Sequence, residues 1–384
     1  MGQSLEGIKV LDFSRVLAGP YCTMLLADMG AEVIKVEKPK TGDDTRQFGP
    51  FQNGESAYFM FLNRGKKSIE VDLKEEDDRN KLMELIKDVD VIVENFRPGV
   101  MKRLGLDYET LKCVNERLVY CSISGFGQYG PFKERPAYDL VAQAMGGIAS
   151  ITGYPDSPPT RTGASIGDMS SALFAAYGIM VALFDRERTG KGQAVDVAML
   201  DSIFAFLEHN VMRYTSEGIV PERIGNRHPI SAPFDVYESK DGYVVIAIAN
   251  DSLFARLCQL MNKTELLDDE RFKTDLRRGE NERALKVIIE EWLSEYTAEE
   301  AVELINKAGI PSSTILNIAE ISESEHIRMR EMLVEIEHPV AGKVRIPGNP
   351  VKLSRTPVEI KDPSPSLGEH NYIIEKISKV GDSE

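Results

Sequence analysis

The amino-terminal part of the chain alternates short apolar runs with amphipathic stretches. Helical patterns lie at Pro20 to Met29, 75–87 and 98–113. Short apolar strands that alternate with helices predict an α/β fold with a mainly parallel sheet covered on both faces. The apolar runs predict buried β-strands at 8–13, 31–37, 68–73, 89–94 and 118–124.

The pattern changes after about residue 225. The run P-F-D-V-Y-E-S-K-D-G-Y-V-V-I-A-I-A predicts a β-hairpin with its turn at Lys240–Gly242. The tail has short strands rich in Pro and Gly at 333–354 and a helix near 369–378. A small α+β domain is therefore predicted over 225–325, with helical patterns at 251–261, 281–294 and 297–308.

Length and charge narrow the possibilities. At 384 residues the chain exceeds the roughly 250–300 at which a single core stops growing, so two domains are expected. A net charge of −15 disfavours binding to nucleic acid or to an anionic membrane. An anionic ligand therefore requires a local basic patch.

Cysteines, histidines and the amino-terminus indicate a cytoplasmic protein without a metal site. The four cysteines form no C-x-x-C motif, and free thiols in a reducing cytoplasm are the simplest interpretation. The five histidines are scattered, and none has a metal-ligand spacing. The start M-G-Q-S-L-E lacks the apolar core of a signal peptide.

Asp168 is the most informative single residue. It stands in T-G-A-S-I-G-D-M-S-S, directly before an apolar stretch from Ala172 to Phe184. That stretch is apolar all round, which predicts a helix buried within the protein, and it is too short to span a bilayer. Asp168 is then either the N-cap of this helix or a reactive carboxylate in a partly dry cleft. Local sequence alone favours the cap.

The segment Gly125–Gly130 reads G-x-G-x-x-G after a strand, which suggests a dinucleotide site. However, P-F-K-E-R-P follows, and the next helical pattern starts near Tyr138. Without a helix there is no helix dipole to hold a pyrophosphate. We therefore expect a glycine-rich active-site loop or a plain turn, and no NAD.

Basic residues recur near the predicted strand ends in spite of the acidic total. In a parallel sheet, loops after the carboxyl ends of strands line the ligand crevice, so such residues could meet a phosphate. A solvated face is the alternative, and the two interpretations are about equal for the set. The set comprises Lys35, Lys38, Lys40, Arg46, Arg64, Lys66, Lys67, Arg97, Lys102 and Arg103.

Several blocks, in order, resemble the class III CoA-transferases, a CaiB/BaiF-like family that includes formyl-CoA transferase and carnitine CoA-transferase. The amino-terminal block is R-V-L-A-G-P-Y-C-T-M-L-L-A-D-M-G-A-E-V-I-K-V-E-K-P (15–39). The resemblance covers nearly the whole chain. Further blocks are L-N-R-G-K-K-S-I-E-V-D-L (62–73), V-E-N-F-R-P-G-V-M-K-R-L-G-L (93–106), S-G-F-G-Q-Y-G-P (124–131), Y-D-L-V-A-Q-A-M-G-G (138–147), R-E-R-T-G-K-G-Q-A-V-D-V-A-M-L-D (186–201), G-I-P-S-S (309–313) and S-L-G-E-H (366–370).

The resemblance implies an interlaced homodimer. It also implies a large Rossmann-like domain built from both chain ends, with a small domain inserted between them. In this sequence the first part of the large domain corresponds to 1–200, the small α+β domain to 225–325, and the return to the large domain to 345–384.

By the same resemblance, Asp168 falls on the catalytic aspartate of the family. The implied reaction moves CoA from an acyl-CoA to a carboxylic acid through an acyl-aspartyl anhydride and an aspartyl-CoA thioester. Acyl-CoA is a substrate, and no permanently bound cofactor is implied. Backbone amides of Gly125–Gly130 could stabilise the oxyanion. The resemblance implies that Val16, Leu17 and Ala18 line the thioester end of the CoA site. Further residues matching CoA-contacting positions are Lys38, Asn95, Phe96, Arg103 and Tyr138.

Two departures bear on the substrate. Formyl-CoA:oxalate members have Gln where Leu17 stands, and a glycine run where I-A-I-A-N-D (246–251) stands. These differences count against formyl or oxalate specificity. Small dicarboxylates with succinyl-CoA are the family-level expectation, and aromatic or carnitine-like acids stay open.

Two other functions compete with CoA transfer. An acyl-CoA racemase of the same superfamily needs a histidine in a G-H-D-I-type motif, but P-A-Y-D-L (136–140) stands there. No histidine precedes His209, so that general base is missing. A non-catalytic acyl-CoA-binding protein would use Asp168 only as a cap.

Overall fold

A computed structural model of the chain describes residues 2–360 and 362–381. The chain divides into two compact units. The larger unit comprises Met1–Ala149, Arg161–Ile219 and Glu325–Glu384, and the smaller one comprises Ser150–Thr160 and Val220–Ser324. The short segment Ser150–Thr160, to which no sequence pattern pointed, thus belongs to the smaller unit.

The larger unit contains a six-stranded, wholly parallel sheet, which confirms the predicted α/β class. Its strand order is β5-β2-β1-β6-β7-β8. The order reverses between β1 and β6, and ligands of open α/β sheets bind beyond the strand ends at such a switch point. The strands are Lys9–Asp12 (β1), Glu32–Glu37 (β2), Lys66–Glu70 (β5), Val91–Glu94 (β6), Val119–Ser124 (β7) and Ala194–Ala198 (β8).

Helices separate these strands, mostly as the pattern predicts. The predicted helix 98–113 is instead two short helices, because Gly105 between them adopts a left-handed φ of 68°. The helices of the larger unit are Ala18–Asp28 (α1), Ala57–Asn63 (α2), Glu76–Ile86 (α3), Val100–Arg103 (α4), Tyr108–Leu111 (α5), Asp139–Met145 (α6), Ile148–Ile151 (α7, which extends into the smaller unit), Ile166–Thr189 (α8), Met199–Ala205 (α9), His209–Glu217 (α10), Glu325–Met329 (α16) and Tyr372–Gly381 (α17), with a 3₁₀ helix at Asp44–Gln47.

Helix α8 is longer than its apolar stretch and is only half buried, so the prediction of a fully buried helix is wrong for the single chain. Small residues such as Ala172 and Ala175 face α1 and the sheet in the core. By length and composition the helix could cross a membrane, but core helices of soluble proteins can have the same length and composition. The opposite face exposes Leu173, Tyr177, Met180, Val181 and Phe184.

The carboxyl-terminal segment completes the larger unit. Asp28 at the end of α1 forms a buried ion pair with Arg64, at 2.7 Å, and accepts a hydrogen bond from Asn349 Nδ2 at 3.0 Å. Arg64 also donates to the carbonyl of Pro347. The contacts with Asn349 and Pro347 join residues separated by 321 and 283 positions along the chain. Two small antiparallel pairs complete this unit, Phe51–Gln52 (β3) with Glu55–Ser56 (β4), and Leu333–His338 (β12) with Gly342–Pro347 (β13).

The smaller unit has its own core around the predicted hairpin. Phe234–Glu238 (β9) and Tyr243–Ala247 (β10) pair antiparallel, and Ser312–Thr314 (β11) adds a third strand that the pattern did not indicate. Trp292, Phe254 and Phe272 are buried in this core. The helices are Asp251–Leu260 (α11), Asp275–Glu280 (α12), Glu282–Leu293 (α13), Ala298–Lys307 (α14) and Ile318–Glu323 (α15), with a 3₁₀ helix at Thr264–Leu267.

Candidate active site

Asp168 lies in the first turn of α8 and does not cap it. The N-cap position is Ser165, so Asp168 is the third residue of the helix. The hypothesis that Asp168 is the helix cap is therefore wrong. Over residues 2–360 and 362–381, no group donates a hydrogen bond to its carboxylate.

The surroundings of Asp168 disfavour its charged form. Burial, together with the smaller effect of the negative charge of Asp139, raises the pKa of the Asp168 carboxyl to about 7. A carboxylate that is poorly solvated and lacks hydrogen-bond donors is a stronger base and nucleophile than an exposed one. The arrangement suits nucleophilic chemistry better than a structural role.

Asp139 holds the start of α8 from a neighbouring helix. Its Oδ1 accepts the backbone N–H of Gly167 at 2.8 Å, and its Oδ2 accepts from Gln143 Nε2 at 2.7 Å. Gln143 Oε1 in turn accepts the N–H of Thr162 at 2.9 Å. Two buried side chains of α6 therefore fix the chain on the approach to Asp168.

Tyr58 is a second neighbour of Asp168. It lies on α2 and is half-buried. Burial, with smaller effects of the charges of Asp168 and Asp43, raises the pKa of the Tyr58 phenol to about 12. The phenol is therefore protonated at neutral pH and can donate a hydrogen bond at the site.

A cavity of about 630 Å³ opens at the switch point of the sheet. Its walls come from the loops after β1, β2, β5 and β6, the positions where such sheets bind ligands. The lining residues are Phe13, Ser14, Arg15, Lys35, Val36, Glu37, Lys38, Thr41, Gly42, Asp43, Asp44, Val71, Asp72, Leu73, Lys74, Phe96, Val100, Arg103 and Leu104.

Three cations of this cavity are available to a ligand. Lys38, Lys74 and Arg103 are exposed, and within the described part of the chain none of them forms an ion pair. Arg15 also lines the cavity, but it pairs with Asp44 at 3.0 Å. Unpaired cations around an open cavity suit the phosphates of a nucleotide-like ligand.

The larger set of basic residues predicted near the strand ends mostly serves the fold. Each of five members faces an acid: Lys35 faces Asp43, Arg46 faces Glu37, Arg64 faces Asp28, Lys66 faces Asp12 and Lys67 faces Glu32. Four of these are buried or nearly so, and Lys67 is partly exposed. The ligand interpretation therefore stays a prediction for the members that line the cavity without an ion-pair partner among the described residues, Lys38 and Arg103.

The other residues expected to contact CoA lie around the same edge of the sheet. Val16, Leu17 and Ala18 form the turn into α1. Asn95 exchanges two hydrogen bonds with the backbone of Arg15, at 2.9 and 2.7 Å, so its amide positions that turn. Tyr138 precedes α6 and is 77 % exposed. Their contacts with CoA stay predictions.

Two features bear on other cofactors and on the oxyanion. After Gly125–Gly130 the next helix begins at Asp139, near the position that the sequence predicts, so the loop does not lead directly into a helix as a dinucleotide motif would. Gly127 donates its N–H to Ser124 Oγ, and Gln128 donates its N–H to Asp196 Oδ2. These two amides are thus occupied and do not face an oxyanion. Among the described residues, no group of three or more His, Cys, Asp or Glu could hold a metal ion.

Sequence reasoning missed Asp139, Tyr58 and Lys74. Asp139 stands in P-A-Y-D-L, where its place in the first turn of a helix is a weak signal for a buried acceptor. Tyr58 is in an apolar helix, A-Y-F-M-F-L-N, and is typical of a core residue. Lys74 follows the β5 region in a charged run that is typical of solvent.

Comparison with known proteins agrees with this geometry. Residues 5–371 match the model of CoA-transferase family III. The chain is 47 % identical over 350 residues to acetyl-CoA:oxalate CoA-transferase of Acetobacter aceti, covering 91 % of this chain and 89 % of that protein. It is 39 % identical over 369 residues to succinyl-CoA–D-citramalate CoA-transferase of Chloroflexus aurantiacus, covering 96 % and 92 %.

A solved structure extends the likeness to the fold. The crystal structure of a CaiB/BaiF family protein from Brucella suis superposes with a TM-score of 0.86 at 38 % identity, covering 98 % of this chain and 99 % of that one. The model match, the relatives and the shared fold all span nearly the whole length. The chain belongs to CoA-transferase family III and is an enzyme of the CoA-transferase type.

Proposed function

We propose that this enzyme transfers CoA from an acyl-CoA to a carboxylic acid with Asp168 as the nucleophile. The observation that carries this proposal is the partly buried Asp168 carboxylate, which lacks a hydrogen-bond donor within the described residues. Its elevated pKa, about 7, indicates that the charged form of the carboxyl is disfavoured at this place. Formation of an uncharged anhydride or thioester removes that unfavourable charge.

The first half of the reaction loads CoA onto the enzyme. An Asp168 carboxylate oxygen attacks the thioester carbonyl carbon of the donor, the C–S bond breaks, and CoA leaves as a thiolate. The product is a mixed anhydride of Asp168 and the donor acid. The thiolate then attacks the Asp168 carbonyl carbon, the anhydride C–O bond breaks, and the donor leaves as its carboxylate.

The second half reverses these steps with the acceptor. An acceptor carboxylate oxygen attacks the aspartyl-CoA thioester and displaces the thiolate, giving a second anhydride. The thiolate attacks the acceptor carbonyl carbon, which releases acceptor-CoA and restores the Asp168 carboxylate. No net proton is consumed, and the activated acyl bond is conserved. Water must be excluded because it would hydrolyse either intermediate.

The cavity fits the nucleotide end of an acyl-CoA. Lys38, Lys74 and Arg103 offer positive charge to phosphates, and Phe96 offers an apolar surface in the same wall. Acyl-CoA acts here as a substrate, and we expect no permanently bound cofactor.

For the acceptor we propose a small dicarboxylic acid. The names of the two relatives pair acetyl-CoA with oxalate and succinyl-CoA with D-citramalate, and both acceptors are dicarboxylic acids. Leu17 and the segment 246–251 depart from formyl-CoA:oxalate enzymes, so we expect succinyl-CoA with a longer dicarboxylate to outperform formyl-CoA with oxalate.

The deciding experiment combines exchange assays with mass spectrometry. The protein is incubated with acetyl-, succinyl- or formyl-CoA and a panel of dicarboxylic, aromatic and carnitine-like acids. Peptide mapping should then find a CoA adduct on Asp168. Asp168→Asn should abolish exchange and adduct but bind acyl-CoA. Exchange that survives in this variant would exclude the nucleophile role. Acyl-CoA binding without exchange in both wild type and variant would favour a non-catalytic binder.

We further propose that the enzyme is a cytoplasmic, interlaced homodimer. The exposed residues Leu173, Tyr177, Met180, Val181 and Phe184 recur at helical spacing and form one apolar stripe on α8. A second copy of the chain would bury this stripe. Light scattering should give twice the mass of the 384-residue chain, and a monomeric mass would overturn the proposal.

A further inference from the structure

The turn before α1 holds a strained residue. Val16 adopts a φ of 68°, in the left-handed region that favours glycine. For a β-branched side chain this conformation costs about 1–3 kcal/mol and persists only when its surroundings enforce it. Helix α1 starts two residues later and packs against α8, which carries Asp168. The strained turn is therefore coupled to the position of the candidate nucleophile.

A buried ion pair binds the backbone of this turn at two points, the carbonyl of Ser14 and the N–H of Val16. Asp43 Oδ1 accepts the N–H of Val16 at 3.2 Å. Lys35 Nζ donates to the carbonyl of Ser14 at 2.8 Å. Lys35 and Asp43 bind each other at 2.9 Å, and their side chains are each 1 % exposed. The pair therefore links the carbonyl before the strained segment to the amide within it.

The remaining backbone groups of the turn are also held by side chains. Asp12 Oδ1 accepts the N–H of Ser14 at 2.9 Å. Asn95 binds both the N–H and the carbonyl of Arg15. Every backbone polar group from the Ser14 N–H to the Val16 N–H thus has a side-chain partner. Such complete tethering specifies one conformation of the turn.

Stability alone explains this pair poorly. Burial acts to raise the pKa of Asp43, but Lys35 and the donors of Thr45 outweigh it and lower the pKa to about 2. The desolvation of two buried charges offsets much of their mutual attraction, so a buried pair is weak evidence for stability. Lys35 and Asp43 also line the 630 Å³ cavity, beside Ser14 and Arg15.

We propose that Lys35 and Asp43 are positioning residues, which hold Val16 in its left-handed conformation and so set the thioester end of the acyl-CoA site relative to Asp168. This inference rests on the proposed function. Neither residue takes part in bond making. Loss of the pair should misplace the thioester while the nucleotide end of CoA stays bound by the cavity cations.

The test compares Asp43→Ala, Asp43→Asn and a matched control. Asp43→Ala should lower kcat about 10–100-fold, as misplacement of about 1 Å does, with KM for acyl-CoA changed less than about threefold. Asp43→Asn keeps an acceptor for the Val16 N–H and should recover part of kcat. Asp28→Asn breaks the equally buried Arg64–Asp28 pair, away from the turn, and should lower Tm while kcat stays within about twofold of wild type.

A crystal structure of Asp43→Ala, or of Asp43→Asn if the first variant does not fold, supplies the direct readout. We expect Val16 to leave the left-handed region when the alanine variant is solved. A kcat of Asp43→Ala like that of Asp28→Asn, or an unchanged positive φ at Val16 in Asp43→Ala, would overturn the inference. A wild-type protein that exchanges no CoA would instead overturn the proposed function. The φ of Val16 in Asp43→Ala would still show whether Asp43 holds the turn.

Discussion

Asp139 accepts the backbone N–H of Gly167 at 2.8 Å, directly before Asp168. This contact anchors the first turn of α8 and also brings a negative charge close to Asp168, the proposed nucleophile. The two charges repel, and this adds to burial in raising the pKa of Asp168. The helix dipole favours the ionised form at the same position. Asp139 therefore increases both the order and the basicity of Asp168.

The pH dependence of the reaction tests this relationship. Because the ionised carboxylate attacks, kcat/KM should rise with pH through an inflection near 7. Asp139→Asn keeps an acceptor for Gly167 but removes the charge, so the inflection should move to lower pH. Gln143→Met is the control, since it removes a hydrogen bond to Asp139 and keeps the charge. An inflection that Asp139→Asn does not move would contradict the electrostatic role.

Replacement of the nucleophile should stabilise the fold at alkaline pH. The pKa of Asp168 in the folded protein, about 7, exceeds its ordinary value of 3.8. The stability that this group contributes is therefore complete below about pH 4 and is lost as pH rises through 7. Asp168→Asn should raise Tm by at least about 2 °C at pH 8 and leave it unchanged at pH 4, measured by calorimetry. A variant less stable than wild type at pH 8 would refute this.

The first turn of α1 should not tolerate a side chain at Gly19. A Cβ there would lie 2.1 Å from Ser14 Cβ and 2.4 Å from Ser14 Oγ. Gly19→Ala should cost about 1–3 kcal/mol of unfolding free energy and lower kcat/KM about tenfold or more. Gly242→Ala is the control, because its nearest neighbour is Ala298 Cβ at 3.9 Å. Equal effects of the two substitutions would remove the steric argument.

Lys38 should contribute to binding of acyl-CoA without affecting the chemistry. Lys38→Ala should raise KM for acyl-CoA about tenfold with kcat unchanged, because it removes a charged contact to phosphate. Lys40→Ala changes a nearby exposed lysine outside the cavity wall and should leave KM within about twofold. Steady-state kinetics at two salt concentrations would detect the difference, because high salt should raise the KM of wild type by a larger factor than the KM of Lys38→Ala. Equal KM values for the two variants would place CoA elsewhere.

The sheet could be predicted from the sequence where strands are buried on both faces. The central strands β1, β6 and β7 are almost wholly buried and mainly apolar, and the pattern found them. The edge strand β8 was missed because A-V-D-V-A is short and interrupted by Asp196, as an edge strand tolerates. The half-exposed state of α8 could not be predicted, since an all-round apolar helix does not reveal which face the same chain covers.

The site was predictable to the extent that motifs mark it. The resemblance located Asp168, Lys38 and Arg103, but it did not indicate what holds them. Asp43 stands in T-G-D-D-T and is typical of a turn, and its contact with Val16 joins segments 27 residues apart. Buried polar networks of this kind join residues that are distant along the chain, so they cannot be predicted from sequence periodicity.

The hydrogen bonds among Asp28, Arg64 and Asn349 have a consequence for folding during protein synthesis. On the ribosome, the six strands of the parallel sheet can pair as they emerge. Asp28, however, must wait for Asn349, 321 residues downstream, and Arg64 must wait for the carbonyl of Pro347, 283 residues downstream. Until Asn349 and the carbonyl of Pro347 arrive, part of their hydrogen-bonding capacity is unmet. Long-range closure of this kind slows folding and exposes unfinished surfaces to aggregation. Truncated or prematurely released chains should therefore be substrates for chaperones and proteases, and should not persist as partly active enzyme.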